Sequence, residues 1–214
     1  MFDFYGLKPS VKSRVYAPTI LNNEGGFAEC TECGSVYEKQ KLKDVSLKIE
    51  GKSNGRLPDI LLCGHWPLLI VSQRVAHEWR EFPTVDADFF EARLYSGESL
   101  LPDKFFHVRI NSKASLDFKR MNVAIRKVCK ACGKVEFSKP TWEFGEPKIV
   151  EKTYHGEALF VLDHFEYSPI CSKQILELVY KKKFTNFSFD PFISLFKIGG
   201  EEINLKTLFG KRNK

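Results

Sequence analysis

Two stretches of this 214-residue chain carry the residue types and spacing of a metal site: "CTECG" at 30–34 and "CKACG" at 129–133. A Cys-x-x-Cys turn aims two thiols at one point, and the glycine behind it accepts the tight backbone of such a knuckle. Two knuckles facing each other supply the tetrahedral four-sulfur environment that Zn²⁺ or iron accepts at about 2.3 Å from each sulfur. Cys30, Cys33, Cys129 and Cys132 are therefore expected to share one structural zinc per chain. Four protein thiolates leave no open position for water, so no catalysis follows from the site. Two readings compete: unrelated or redox-active dithiols, and two distinct metal sites. The redox reading wants a helix directly behind each motif. Instead, "GSVYEK" and "GKVEFSKP" lean toward strand, and Pro140 blocks a helix in the second.

The remaining candidates are weaker. Cys63 stands two residues before His65, and Cys171 lies in "SPICSK"; both are expected as buried thiols, since free Cys behaves as a small hydrophobe. His77 and Glu78 start like a zincin helix, but position 81 is Glu and not the second His. Asp163, His164 and Glu166, or Asp86 with Asp88, are pairs that a chain of this length holds by chance. No nucleophile elbow, phosphate loop or dinucleotide fingerprint is present, and the protein is not expected to be an enzyme.

The elements that must position the cysteines come in two matching sets. Ser72 lies 39 residues after Cys33 and Ser172 lies 40 after Cys132, each at the start of a short helical pattern. Each serine is placed to cap its helix N-terminus. Behind them, Val75, Ala76 and Trp79, and Ile175, Leu176 and Val179, form one apolar stripe per helix. "DADFFEARLYS" (86–96) and "DKFFHVRIN" (103–111) predict a hairpin, "TNFSFDPF" (185–192) a strand, and "LFKIGGEEINL" (195–205) a terminal hairpin. Residues 51–59 are expected as a loop, and 111–127 as a bridge between halves. The sequence thus predicts an α+β protein with two related strand–short helix–strand units in tandem, joined by the structural four-cysteine zinc site. It forms a single domain over 1–214 with an internal duplication: a first unit at 1–111, a connector at 112–128 and a second unit at 129–214.

Composition sets the outer bounds. At 43% hydrophobic with 19 Phe, the chain has ample core material. Its longest apolar runs, such as "ILLCGHWPLLIV", fall short of the roughly 20 residues of a membrane span. The N-terminus carries no secretory pattern, which leads to the expectation of a soluble cytoplasmic protein. Net charge is +6, a mild bias that permits an acidic partner. The stretch "FKRMNVAIRKVCK" (118–130) could contact phosphates, but cations and carboxylates are interleaved along the chain and the Phe residues sit at core-like positions.

The stretches "CTECG", "HWPLLIVSQRVAHEW", "FFEARLY", "CKACGK" and "SPICSKQILELVYKKKFTNFSFDPF" resemble the double-CxxCG motif family, first described as a myxobacterial paralogous group. The resemblance spans about residues 1–192. It implies a cytosolic immunity protein that binds and neutralises a cognate bacterial toxin, with no nucleic acid or membrane partner. The alternative is a zinc-ribbon nucleic-acid-binding or regulatory adaptor. From the net charge, an acidic or mixed toxin surface is expected.

Overall fold

A computed structural model describes residues 4–10, 15–20, 27–38, 43–51, 57–63 and 68–196. In chain order these form β1 (Phe4–Pro9), β2 (Val15–Ile20), β3 (Phe27–Glu29), β4 (Val36–Glu38), β5 (Val45–Gly51), β6 (Ile60–Cys63) and β7 (Leu69–Ser72). Helix α1 (Gln73–Arg80) follows, then β8 (Ala87–Ser96), β9 (Ser99–Leu100), β10 (Phe105–Ile110), β11 (Lys113–Ala114), β12 (Ile125–Val128) and β13 (Val135–Phe137). The chain continues through β14 (Leu159–Leu162), β15 (Phe165–Ser172), α2 (Lys173–Lys182) and β16 (Phe187–Pro191). The fold is mixed α+β and mostly strand, with two helices among the described residues.

Two sheets carry the structure. The first runs β10-β7-β6-β2-β5-β8-β9, and an added β10–β8 pairing closes six of its strands into a ring. Closure satisfies the edge N–H and C=O groups that an open sheet leaves bare. The second is open and runs β11-β14-β15-β1-β16. Taken in the order β2-β6-β7-β10-β8, the first sheet has the same pairing senses as the second. The β2–β6 and β11–β14 pairs are parallel, and the other neighbours are antiparallel. Registers correspond as well. Phe105 faces Ser72 as Phe4 faces Ser172, and Val108 faces Phe89 as Leu7 faces Phe189. Strand β5, which closes the first ring, has as its counterpart among the described residues a single bridge between Leu116 and Ile149. The N-terminal strand β1 therefore sits between β15 and β16, far along the chain.

Alternation along these strands sends side chains into three apolar clusters. One fills the closed ring, with Val45, Leu47, Leu61, Ile70, Leu94 and Phe105. Another lies against the second sheet, with Phe4, Leu116, Met121, Phe144, Phe160 and Ile170. The third lies between them, where α1 contributes Val75, Ala76 and Trp79 and α2 contributes Ile175, Leu176 and Val179. Both predicted stripes are thus buried core. Ser72 and Ser172 occupy the N-cap positions with extended backbone, but neither hydroxyl makes a capping bond. The Ser72 hydroxyl is instead turned toward the Asp59 carboxylate, to which it donates at 2.8 Å.

The 86–96/103–111 hairpin forms as β8 paired with β10. Residues 111–127 are more than a bridge: Ala114, Leu116, Met121 and Val123 are buried in the second sheet's cluster. The 51–59 segment is described only in part, and it buries Leu57 and Asp59, so it is not purely a solvent loop. Beyond Phe196, the expected terminal hairpin lies outside the described residues. Among those residues, no helix is long and apolar enough to cross a membrane.

Candidate metal centre

Each Cys-x-x-Cys-Gly is the tip of a two-stranded hairpin, β3–β4 for the first and β12–β13 for the second. The two tips have the same internal bonds. Cys30 N–H donates to the Ser35 carbonyl at 2.8 Å and Gly34 N–H to the Cys30 carbonyl at 2.8 Å. Likewise Cys129 N–H donates to the Lys134 carbonyl at 2.8 Å and Gly133 N–H to the Cys129 carbonyl at 2.9 Å. Gly34 and Gly133 have φ of +67° and +73°, the left-handed region in which any Cβ is strained.

The hairpins meet tip to tip. Cys30 Sγ lies 3.6 Å from Cys129 Sγ, and Cys33 Sγ lies 3.5 Å from Cys132 Sγ. All four sulfurs fall within 4.8 Å of one another. A metal–sulfur bond of about 2.3 Å in a tetrahedron implies sulfur–sulfur edges near ~3.8 Å, so the set matches one tetrahedral ion. All six cysteines are free thiols, and contacts of 3.5–3.6 Å are far from a disulfide of about 2.05 Å. The four cysteines can thus hold a single metal.

The protons on the sulfurs point the same way. The Ser35 hydroxyl and backbone N–H hold the Cys33 thiol down to about 6. At Cys132, a bond from the Lys134 backbone favours the thiolate. Desolvation and the sulfurs of Cys33, Cys129 and Cys30 outweigh it and push the pKa up to about 12. Hydrogen bonding among the sulfurs thus favours the thiolate at Cys33 and opposes it at Cys132. A cation at the centre would favour the thiolate at all four. Glu32 approaches from the first knuckle, its carboxylate 3.6 Å from Cys129 Sγ.

Cys63 and Cys171 are buried away from this cluster, and burial raises both thiols, Cys63 to about 12. His65 lies outside the described residues. His164 sits in the β14–β15 turn at φ +69°, its ring stacked 6.2 Å from Phe118. Asp163 accepts a short bond from Ser115, and Glu166 pairs with Lys113. Asp86 accepts from Asn111 Nδ2 at 3.2 Å. None of these pairs converges on a shared pocket with the cysteines.

A second polar centre was not legible in the sequence. Asp59, 2% exposed, accepts from Ser72 Oγ at 2.8 Å, Arg74 Nε at 2.5 Å, and the Thr185 N–H and hydroxyl at 2.7 and 2.9 Å. Arg74 also donates to the carbonyls of Lys182 and Lys183 at the end of α2, and its guanidinium lies 4.8 Å from the Phe184 ring centre. Burial alone would raise the Asp59 pKa, but these donors reverse the effect and hold it below its ordinary value. The network ties the start of α1 to the end of α2, and it is saturated, with no site for a reacting group.

Fold and site together define a mixed α+β protein, mostly strand, with four clustered cysteines that could hold a metal. Comparison with family models and with curated proteins finds no match.

Proposed function

We propose that this chain is a zinc-stapled immunity protein, a cytoplasmic antidote that neutralises a cognate bacterial toxin by binding it. The observation that carries the reading is the pairing of two Cys-x-x-Cys-Gly hairpins 99 residues apart in one four-sulfur centre. Each hairpin leads on to a strand pair and a short helix, β6–β7–α1 and β14–β15–α2. That is the arrangement expected of an internally duplicated double-CxxCG protein. Zinc suits the all-thiolate donor set and would be held by Cys30, Cys33, Cys129 and Cys132. In such a site it supplies cross-linking and not chemistry, because the ligand shell is complete.

Inhibition by occlusion asks for a rigid surface, and the shared central core with its Asp59–Arg74 tie provides one. The test is protection. Cells producing the toxin encoded beside this gene should survive when the chain is co-expressed, and the two proteins should co-elute as a complex. Survival unchanged by the chain, with no complex formed, would rule the immunity reading out.

A further inference from the structure

The two knuckles are internal controls for each other. Their backbone bonds and glycine conformations agree, and so does the register at the tips, with Glu29 facing Val36 as Val128 faces Val135; the second hairpin alone bulges between Ile125 and Lys127. Whatever a metal knuckle needs locally, both must have. The side chains differ sharply. Over residues 28–36 the first carries Glu29 and Glu32 and no cation. Over the matching 127–135 the second carries Lys127, Lys130 and Lys134 and no carboxylate, with Arg126 just before and the exposed Glu136, the ladder partner of Lys127, just after. All four cations are exposed, and among the described residues none is paired with a carboxylate. Interleaved with them are exposed aliphatics: Ile125 and Val128 on β12 are 44% and 51% exposed, and Val36 on the opposing hairpin is 47% exposed. The first knuckle manages without cations, so the knuckle fold does not require them.

We propose that the second knuckle is a docking surface for an acidic protein segment, with Lys127, Lys130 and Lys134 pairing carboxylates on a hairpin that also exposes Ile125 and Val128. Resting on the immunity reading, this names the part of the molecule that meets an acidic toxin face. Charge complementarity selects the sign of the partner and speeds its capture. The aliphatic character of the centre selects protein, because nucleic acid bases would need aromatic platforms to stack on. An edge strand that exposes aliphatic side chains among cations has the makeup of an interface core and rim.

The probe is labelled poly-L-glutamate, with single-stranded DNA of equal length beside it, titrated against metal-loaded protein at several salt concentrations. K127E/K130E/K134E is expected to weaken poly-glutamate binding at least tenfold and to flatten its salt dependence. The neutral K127Q/K130Q/K134Q should fall between. Reversal of the exposed Lys104, Lys152 and Lys181 to Glu should change binding less than twofold. Equal losses in the two reversal variants would mean that net charge alone acts, and would overturn the proposal. Loss of bound metal in the glutamine variant would assign the lysines to the metal instead. Tighter capture of DNA than of poly-glutamate at the same patch would replace the protein partner with a nucleic acid. A patch that binds poly-glutamate in a chain that protects against no toxin keeps the docking surface and removes the immunity reading.

Discussion

Cys30 Sγ lies 3.6 Å from Cys129 Sγ although 99 residues separate them, and both residues open equivalent hairpin tips. The relationship makes the four-cysteine cluster a meeting point of two distant parts of the chain. Removing either half of it should undo the other.

Metal content is the first consequence. Elemental analysis of freshly reduced protein should give one metal ion per chain, and C30S or C129S should lose it. At a metal concentration a thousandfold above the dissociation constant, the ion contributes about 4 kcal/mol to stability. Chelation should therefore lower the melting temperature by several degrees. Thiol labelling after chelation should reach the exposed Cys33 and half-buried Cys132, while the buried Cys30, Cys63, Cys129 and Cys171 react only on unfolding. Two ions per chain, or none, would be inconsistent with the shared centre.

Asp59 should control the acid limb of stability. Its carboxyl is ionised and paired in the folded chain, so its folded pKa lies below the unfolded value of about 3.9. The stabilisation is fully present above that unfolded value and fades as pH falls through the lower folded one. D59N should flatten stability against pH below about pH 4. At neutral pH, D59A should cost about 3 kcal/mol, the low end for a broken buried pair, since the Arg74 side chain is 36% exposed. Urea melts at neutral pH and below the unfolded carboxyl pKa measure both effects.

The two helix-start serines should respond differently to the same substitution. Ser72 donates to Asp59 at 2.8 Å, whereas the buried Ser172 hydroxyl has no partner and Ala158 stands where the Asp59 carboxylate would be needed. S72A should cost about 1 kcal/mol and S172A should be neutral or slightly stabilising. Equal costs would indicate a capping role common to both.

Strand order predicts the behaviour of a nicked chain. A protease site placed between Leu101 and Lys104 separates β1–β9 from β10–β16. Each piece keeps a strand in the other's sheet: β1 between β15 and β16, and β10 between β7 and β8. After cleavage the fragments should co-elute in gel filtration and separate only in denaturant. Separation without denaturant would contradict the pairing.

Much of the site was legible because its determinants are short-range. A Cys-x-x-Cys-Gly turn is specified by five consecutive residues, and the apolar stripes of α1 and α2 by helical periodicity within one or two turns. The basic character of 118–130 was also visible, though not that it crowns a knuckle whose counterpart is acidic. Asp59 was not legible: in "RLPDI" it reads as a turn residue, and its partners Arg74 and Thr185 lie 15 and 126 residues away.

By itself, then, the sequence determined the two knuckles, their glycine-dependent backbone, both helices and the β8–β10 hairpin. Each follows from local conformational preference and the periodicity of apolar residues. Tertiary structure alone decided that β1 leaves its neighbours to lie between β15 and β16, that Ser72 serves Asp59 instead of its helix, and that the two knuckles face each other with unlike charge. Strand partners, buried ion pairs and surface patches depend on which distant backbone edges and side chains meet. No window of consecutive residues encodes that meeting; it is fixed only when the two sheets' own clusters close on the shared core between them.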